Sequence, residues 1–267
     1  MHRYGARLLL ATALLATGCG EDRGQSATST RQDAASTERP TLTVSAATSL
    51  KRAFETYGER FGQAKARFSF AGSDELAAQI RQGLTPDVFA SANTTLPDEL
   101  NKAGLVEQPR TFAGNRLVLA VPKDADTPIE RLDDLAKPGT TIAIGAETVP
   151  VGAYTRKVLD RLPRAQRAAI LKNVRSEEPD VGGVVGKLTQ GAVDAGFVYT
   201  TDVAAAGAGL REIRLPDALQ PDVAYGVAVV KGAKEPEAAR AFVEGLIAGA
   251  GQTALRDAGF LPPPAGG

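Results

Sequence analysis

A chain of 267 residues with 43% hydrophobic content is long enough to bury a large core and to form two compact lobes. Its 31 Lys plus Arg balance 31 Asp plus Glu, so overall charge does not mark nucleic acid or an acidic polymer as the partner. The single histidine, His2, and the single cysteine, Cys19, both precede residue 20, leaving the body of the chain with neither imidazole nor thiol. Ser-His-Asp and Cys-His catalysis, and His or Cys metal sites, are thereby excluded there.

The first elements in chain order belong to targeting. Arg3 and Arg7 precede the apolar run LLLATALLA, and the small-residue stretch ATGC ends at Cys19. This predicts an export signal over residues 1–18 and a mature chain that leaves the cytoplasm. Cys19 stands where a bacterial lipoprotein signal places its lipidated residue, although Ala16 rather than Leu is the third residue before it. A lone free thiol is unusual in an exported protein, which favours lipid anchoring over an incidental cysteine. Residues 20–40, rich in Ser, Thr, Gly and charge, read as a flexible tether, and folding is expected to begin near Thr41. After the signal no stretch of about 20 apolar residues suggests a second membrane crossing.

From Thr41 onward, strand-like runs TLTVSAA, ARFSFA, DVFAS, NRLVLAV, TTIAIG, VDAGFVY and AYGVAVV are mostly separated by helix-like segments. Helices are predicted over 50–61, 74–83, 97–103, 152–162, 182–190, 236–248 and 251–258, each with one apolar face. Alternating β and α predicts an α/β fold with largely parallel sheets. Four strand-to-helix junctions share one pattern: Ser49, Ser73, Val151 and Val181 each open a helix, with Gly72, Gly152, Gly182 and Gly183 beside these openings. By itself Ser49 reads first as an ordinary N-cap; the sharper reading is an anion site, since a helix start presents unpaired N–H groups and a positive dipole end. The glycines read as turn residues or as places where backbone approaches a ligand closely.

VSAATSL, FSFAGSDELAAQI, PDVFASAN, AGNRLVLAVPK, TVPVGAYTRKVL and DAGFVYTTDV occur in the order and approximate spacing of one family. Over residues 41–260 the chain resembles the molybdate-binding component of ABC-type molybdate importers. It resembles that family more than the tryptophan-bearing sulfate binders, and it has no Trp. The resemblance implies a two-lobed periplasmic binding protein-like fold, with mostly parallel sheets flanked by helices and a ligand cleft between the lobes. Residues 41–121 with 221–267 are expected to form one lobe and 122–220 the other.

The family's ligand positions fall on Ser49 and Ser73, each expected to offer a hydroxyl and a backbone N–H. They fall also on Val151 and Val181, offering backbone N–H groups, and on Tyr199, offering its phenol. None of the five is Lys or Arg, which suits a carrier that must release a dianion. The implied ligand is molybdate, with tungstate beside it, held through its oxygens with no direct cation ligands and no cofactor. The implied partners are a membrane permease and, through Cys19, the membrane; the protein is expected to be a monomer and to bind no nucleic acid. Two departures from the family stand out: Thr48 where Ala is common, and Asp74 with Glu75 in the first turn of a proposed anion-binding helix. Acids there either stabilise the helix dipole from the solvent side or repel the ligand. A receptor for sulfate, phosphate or a metal cation, or an enzyme on the same scaffold, remain as alternatives.

Overall fold

The computed structural model describes residues 39–125 and 128–264. The export signal, Cys19 and most of the tether lie outside the described residues. In chain order the elements are β1 Thr41–Ala47, α1 Lys51–Arg60, β2 Lys65–Ala71, α2 Ser73–Arg81, β3 Val88–Ser91, α3 Thr95–Lys102, β4 Arg110–Asn115 and β5 Leu117–Pro122. There follow β6 Ile142–Gly145, α4 Pro150–Asp160, α5 Arg164–Lys172, β7 Val174–Glu178, α6 Val181–Thr189, β8 Ala195–Tyr199, α7 Thr200–Ala206 and β9 Leu210–Arg214. β10 Val223–Val229, α8 Pro236–Ala248 and α9 Ala250–Asp257 complete the series.

The strands form two five-stranded sheets, ordered β2-β1-β3-β10-β4 and β7-β6-β8-β5-β9. The expectation of largely parallel sheets needs correction: each sheet is mixed. β1 runs parallel to β2 and β3, and β6 to β7 and β8, as the βαβ units require. β10 and β5 run antiparallel to both of their neighbours.

The run NRLVLAV, expected as one strand, is divided between the sheets. Asn115 ends β4, its side-chain Oδ1 accepts the Arg116 N–H at 2.9 Å, and β5 begins at Leu117 in the other sheet. The chain therefore passes from one sheet to the other at Arg116. Absent from the predicted elements are β7, β9, α5, α7 and all of β4 except Asn115. β7 (VRSEE) and β9 (LREIR) are edge strands whose charged residues disguise the alternation, a common device for blunting a sheet edge. α5 buries only Ile170, and α7 starts directly off β8 with no intervening loop.

Burial explains why these elements hold. Leu42, Val44 and Ala46 of β1 are buried on one face, while Ala53, Phe54 and Tyr57 of α1 recur at helical spacing and face the sheet. Phe54 meets Phe68, Phe112 and Phe242, and each such ring stabilises the fold by roughly 1.5–3 kcal/mol when buried. The same clasp ties adjacent strands in both sheets. Asp87 accepts from the Thr43 N–H and hydroxyl, and Asp194 from the Thr141 N–H and hydroxyl, all at 2.7 Å.

Candidate functional site

Four segments leave the carboxyl ends of β1, β2, β6 and β7 and lead through at most a short turn into helix: the 3-10 turn Thr48–Leu50, α2, α4 and α6. Such strand ends are where ligands collect in α/β sheets. Ser49, Ser73, Val151, Val181 and Tyr199, from both sheets, all line one cavity of about 20 Å³. The cavity is small and suits a compact solute.

The donors at this cavity are unspent. Ala47, Gly72 and Val149, the residues that cap the first three helix starts, make no side-chain cap, so the orphan N–H groups of those turns are free of side-chain partners. Only α6 is capped, Asp180 accepting from the Gly183 N–H at 3.0 Å. Ser73 is buried and its Oγ already accepts from the Ala92 N–H at 3.1 Å, leaving its proton to donate. Ser49 Oγ accepts from the Tyr225 phenol at 3.1 Å. The Tyr199 phenol is buried with no hydrogen-bond partner, and burial, reinforced by Tyr225, Tyr154 and Asp202, holds its pKa well above the ordinary value. It is therefore a protonated donor left without an acceptor among the described residues. Thr48 Oγ1 is likewise buried and unpartnered. Among the described residues no Lys or Arg lines the cavity, and Asp180 is its one carboxylate, a lining residue that sequence reading did not single out.

Asp74 and Glu75 lie in the first turn of α2, and Asp74 Oδ1 is buried with no hydrogen-bond partner among the described residues. Asp74 Oδ2 accepts from Thr148 Oγ1 at 2.7 Å, Glu75 is exposed and accepts from Gln79 at 3.1 Å, and neither lines the cavity. The glycines serve close approach, and none of the four has positive φ. A Cβ on Gly72 would lie 2.5 Å from the Pro179 carbonyl oxygen, and one on Gly182 would lie 2.8 Å from Thr48 Cγ2. A Cβ on Gly152 would overlap the carbonyl oxygens of Ala146 and Gly145.

Next to Tyr199, Asp202 accepts the Tyr199 N–H at 2.9 Å. Burial pushes its pKa up to about 7, with repulsion from Asp180 adding and the Tyr199 hydrogen bond opposing. An acid whose folded pKa exceeds its unfolded value near 3.9 binds protons more tightly in the fold, so its contribution to stability falls as pH rises from about 4 to about 7. Denaturant unfolding across that window should show this decline in the parent chain and a flatter profile in Asp202→Asn, whose amide oxygen can still accept from Tyr199. Identical profiles would mean that Asp202 ionises as freely in the fold as outside it.

Two mixed sheets facing each other across a small donor-lined cavity define a solute-binding protein. The chain belongs to the bacterial extracellular solute-binding protein family, whose model matches residues 42–261. It is similar to the molybdate-binding protein ModA of Mycobacterium tuberculosis, 37% identical over 227 residues, covering 83% of this chain and 85% of that one. Similarity to the Haemophilus influenzae molybdate-binding protein ModA is 27% identity over 265 residues, 94% of this chain and 96% of the other. The periplasmic molybdate-binding protein of Azotobacter vinelandii shares the fold, with a TM-score of 0.75 at 23% identity over 83% of this chain and 99% of that one. The chain is thus a carrier of solute and not an enzyme, of an extracellular family. Among the described residues no helix is long and apolar enough to cross a membrane.

Proposed function

We propose that this protein captures molybdate, and tungstate with it, outside the cytoplasmic membrane and delivers it to the permease of an ABC transporter. The observation that carries the reading is the unpartnered Tyr199 phenol in a cavity whose other polar groups are mostly hydroxyls and helix-start N–H groups drawn from both sheets. An oxyanion offers acceptors only, and this set of donors complements it. In this reading Ser49 and Ser73 give hydroxyl and N–H, Val151 and Val181 give N–H, and Tyr199 gives its phenol. Neutral donors hold the charge and, with no Lys or Arg in the lining, let it go again. The 37% identity to a molybdate-binding relative selects molybdate among the tetrahedral anions. A cation receptor would need several convergent carboxylates, and the lining carries one.

The two sheets then belong to two lobes, residues 41–116 with 221–267 and residues 117–220, that close on the ligand by hinge rotation. The protein acts as a monomer, held to the membrane by a lipid on Cys19. Cys19→Ser should release it from the membrane fraction or leave the precursor uncleaved, with ligand binding intact. Unchanged fractionation with membranes would remove the anchor from this account.

Selectivity tests the reading most directly. Molybdate, tungstate and sulfate are tetrahedral dianions with the same kind of acceptor, so size must separate them. Donors fixed on helix starts and set for longer metal–oxygen bonds leave sulfate with stretched or missing contacts. Losing two at roughly 1.5 kcal/mol each gives about a hundredfold preference for molybdate. Competition calorimetry on the chain without its signal measures this. If sulfate displaces molybdate at comparable concentration, the protein is a general oxyanion receptor instead.

A further inference from the structure

Behind Ser49 runs a chain of hydrogen bonds whose direction is set from its far end. The Arg116 backbone N–H donates to Asn115 Oδ1 at 2.9 Å, so the nitrogen of that amide is the end turned inward. Asn115 Nδ2 donates to Thr201 Oγ1 at 2.8 Å and to the Tyr225 phenolic oxygen at 3.3 Å. An amide nitrogen has nothing to accept with, so the one proton of Tyr225 is free for its other neighbour, Ser49 Oγ, at 3.1 Å. Burial, with the charge of Asp202 adding, pushes the Tyr225 phenol far above its ordinary pKa, outweighing its hydrogen bonds with Ser49 and Asn115, and keeps that proton in place. Ser49 Oγ is thus already an acceptor on its inner side, and its own proton is left for the cavity.

We propose that Asn115 and Tyr225 are positioning residues that orient the Ser49 hydroxyl as a donor to the bound oxyanion; this rests on the reading of Ser49 as a ligand. A serine without such a neighbour can turn its proton either way, and it loses rotational freedom when an acceptor-only ligand arrives. Here that freedom is removed before the ligand binds. The same orientation works against a ligand that must itself donate a proton to Ser49, such as a protonated oxyanion. The ring of Tyr225 is fully buried and held by Phe112, Tyr199 and Phe260 at centroid distances of 6.1, 6.0 and 5.3 Å. Removing only its hydroxyl leaves that packing in place.

The experiment is a calorimetric molybdate titration of the parent chain, Ser49→Ala, Tyr225→Phe and the double variant, with unliganded thermal unfolding alongside. Binding by the parent and a ten- to hundredfold loss in Ser49→Ala test the ligand reading itself, and their absence would overturn that reading. Given both, Tyr225→Phe should weaken binding about fivefold, the worth of one neutral hydrogen bond. In the Ser49→Ala background it should change affinity less than twofold, because there is no hydroxyl left to orient. An equal loss in both backgrounds, or no loss beside an intact Ser49, would overturn the positioning role. Asn115→Asp gives a second route: a carboxylate only accepts, so it draws the Tyr225 proton away and lets the Ser49 hydroxyl turn inward. Its loss should exceed that of Tyr225→Phe and should shrink when combined with Ser49→Ala, leaving only the repulsion between the added charge and the ligand. A loss of the same size in both backgrounds would count against the relay.

Discussion

Gly72→Ala is expected to weaken molybdate binding by about a hundredfold or more while the unliganded chain stays folded. The backbone at Gly72, φ −58° and ψ 137°, suits alanine as well as glycine, so no conformational strain enters. The larger obstacle is across the cavity: the new Cβ would sit 2.5 Å from the Pro179 carbonyl oxygen, and also 2.8 Å from Asp74 Oδ1, a side chain that can turn aside. Pro179 follows β7 of the second sheet and precedes Asp180, the N-cap of α6. A backbone oxygen cannot swing aside as a long side chain can, so the two sides of the cavity must part. Parting them withdraws the Val151 and Val181 N–H groups from a ligand held at Ser49 and Ser73. Two charge-assisted hydrogen bonds at roughly 1.5 kcal/mol each amount to the hundredfold. Neither sheet's own core is touched, and unliganded thermal unfolding should be nearly unchanged. Calorimetry beside thermal denaturation checks both halves. Parental affinity in a folded Gly72→Ala protein would show that binding does not need this approach.

Gly152→Ala should act on folding itself. Gly152 lies in the first turn of α4, where a Cβ would overlap the carbonyl oxygens of Ala146 and Gly145 in the turn that feeds the helix. Both obstacles are backbone, and relieving them means pushing α4 off β6, with Val151 moving as well. Overpacking of this kind costs about 3 kcal/mol or more. For a chain of this length that is a fall of roughly 6–12 °C in Tm, accompanied by loss of ligand binding. Gly186→Ala is the matched control, since Gly186 sits inside α6 and a Cβ there would meet only Gln190 Nε2 at 3.8 Å. That change should stabilise the protein by about 0.5–1 kcal/mol through helix propensity and a less flexible unfolded chain. If the two variants melt together, the close approach of α4 to the preceding turn has no energetic weight.

The local part of this protein was legible in its residues. The hydrophobic period of α1 and the alternation of β1 depend only on neighbours a few positions away, and both elements lie where the pattern put them. The absence of imidazole and thiol from the body, and the run of helix starts marked by Ser49, Ser73, Val151 and Val181, are likewise properties of short stretches. That these four and Tyr199 line a single cavity was suggested by family resemblance, yet it is brought about only by tertiary structure, because the positions span 150 residues and two sheets. Pairing decided the rest. β5 and β10 look like any buried apolar strand, and what makes them antiparallel is the partner each meets after the chain changes sheets. The charged edge strands β7 and β9 hold through ladders to β6 and β5 that no local pattern announces. Asp74 turns to Thr148 rather than to the cavity, and Ser49 receives its proton partner from Tyr225, 176 residues away. A side chain's polarity can be read from its type, but the direction it points depends on which groups the fold has already satisfied around it.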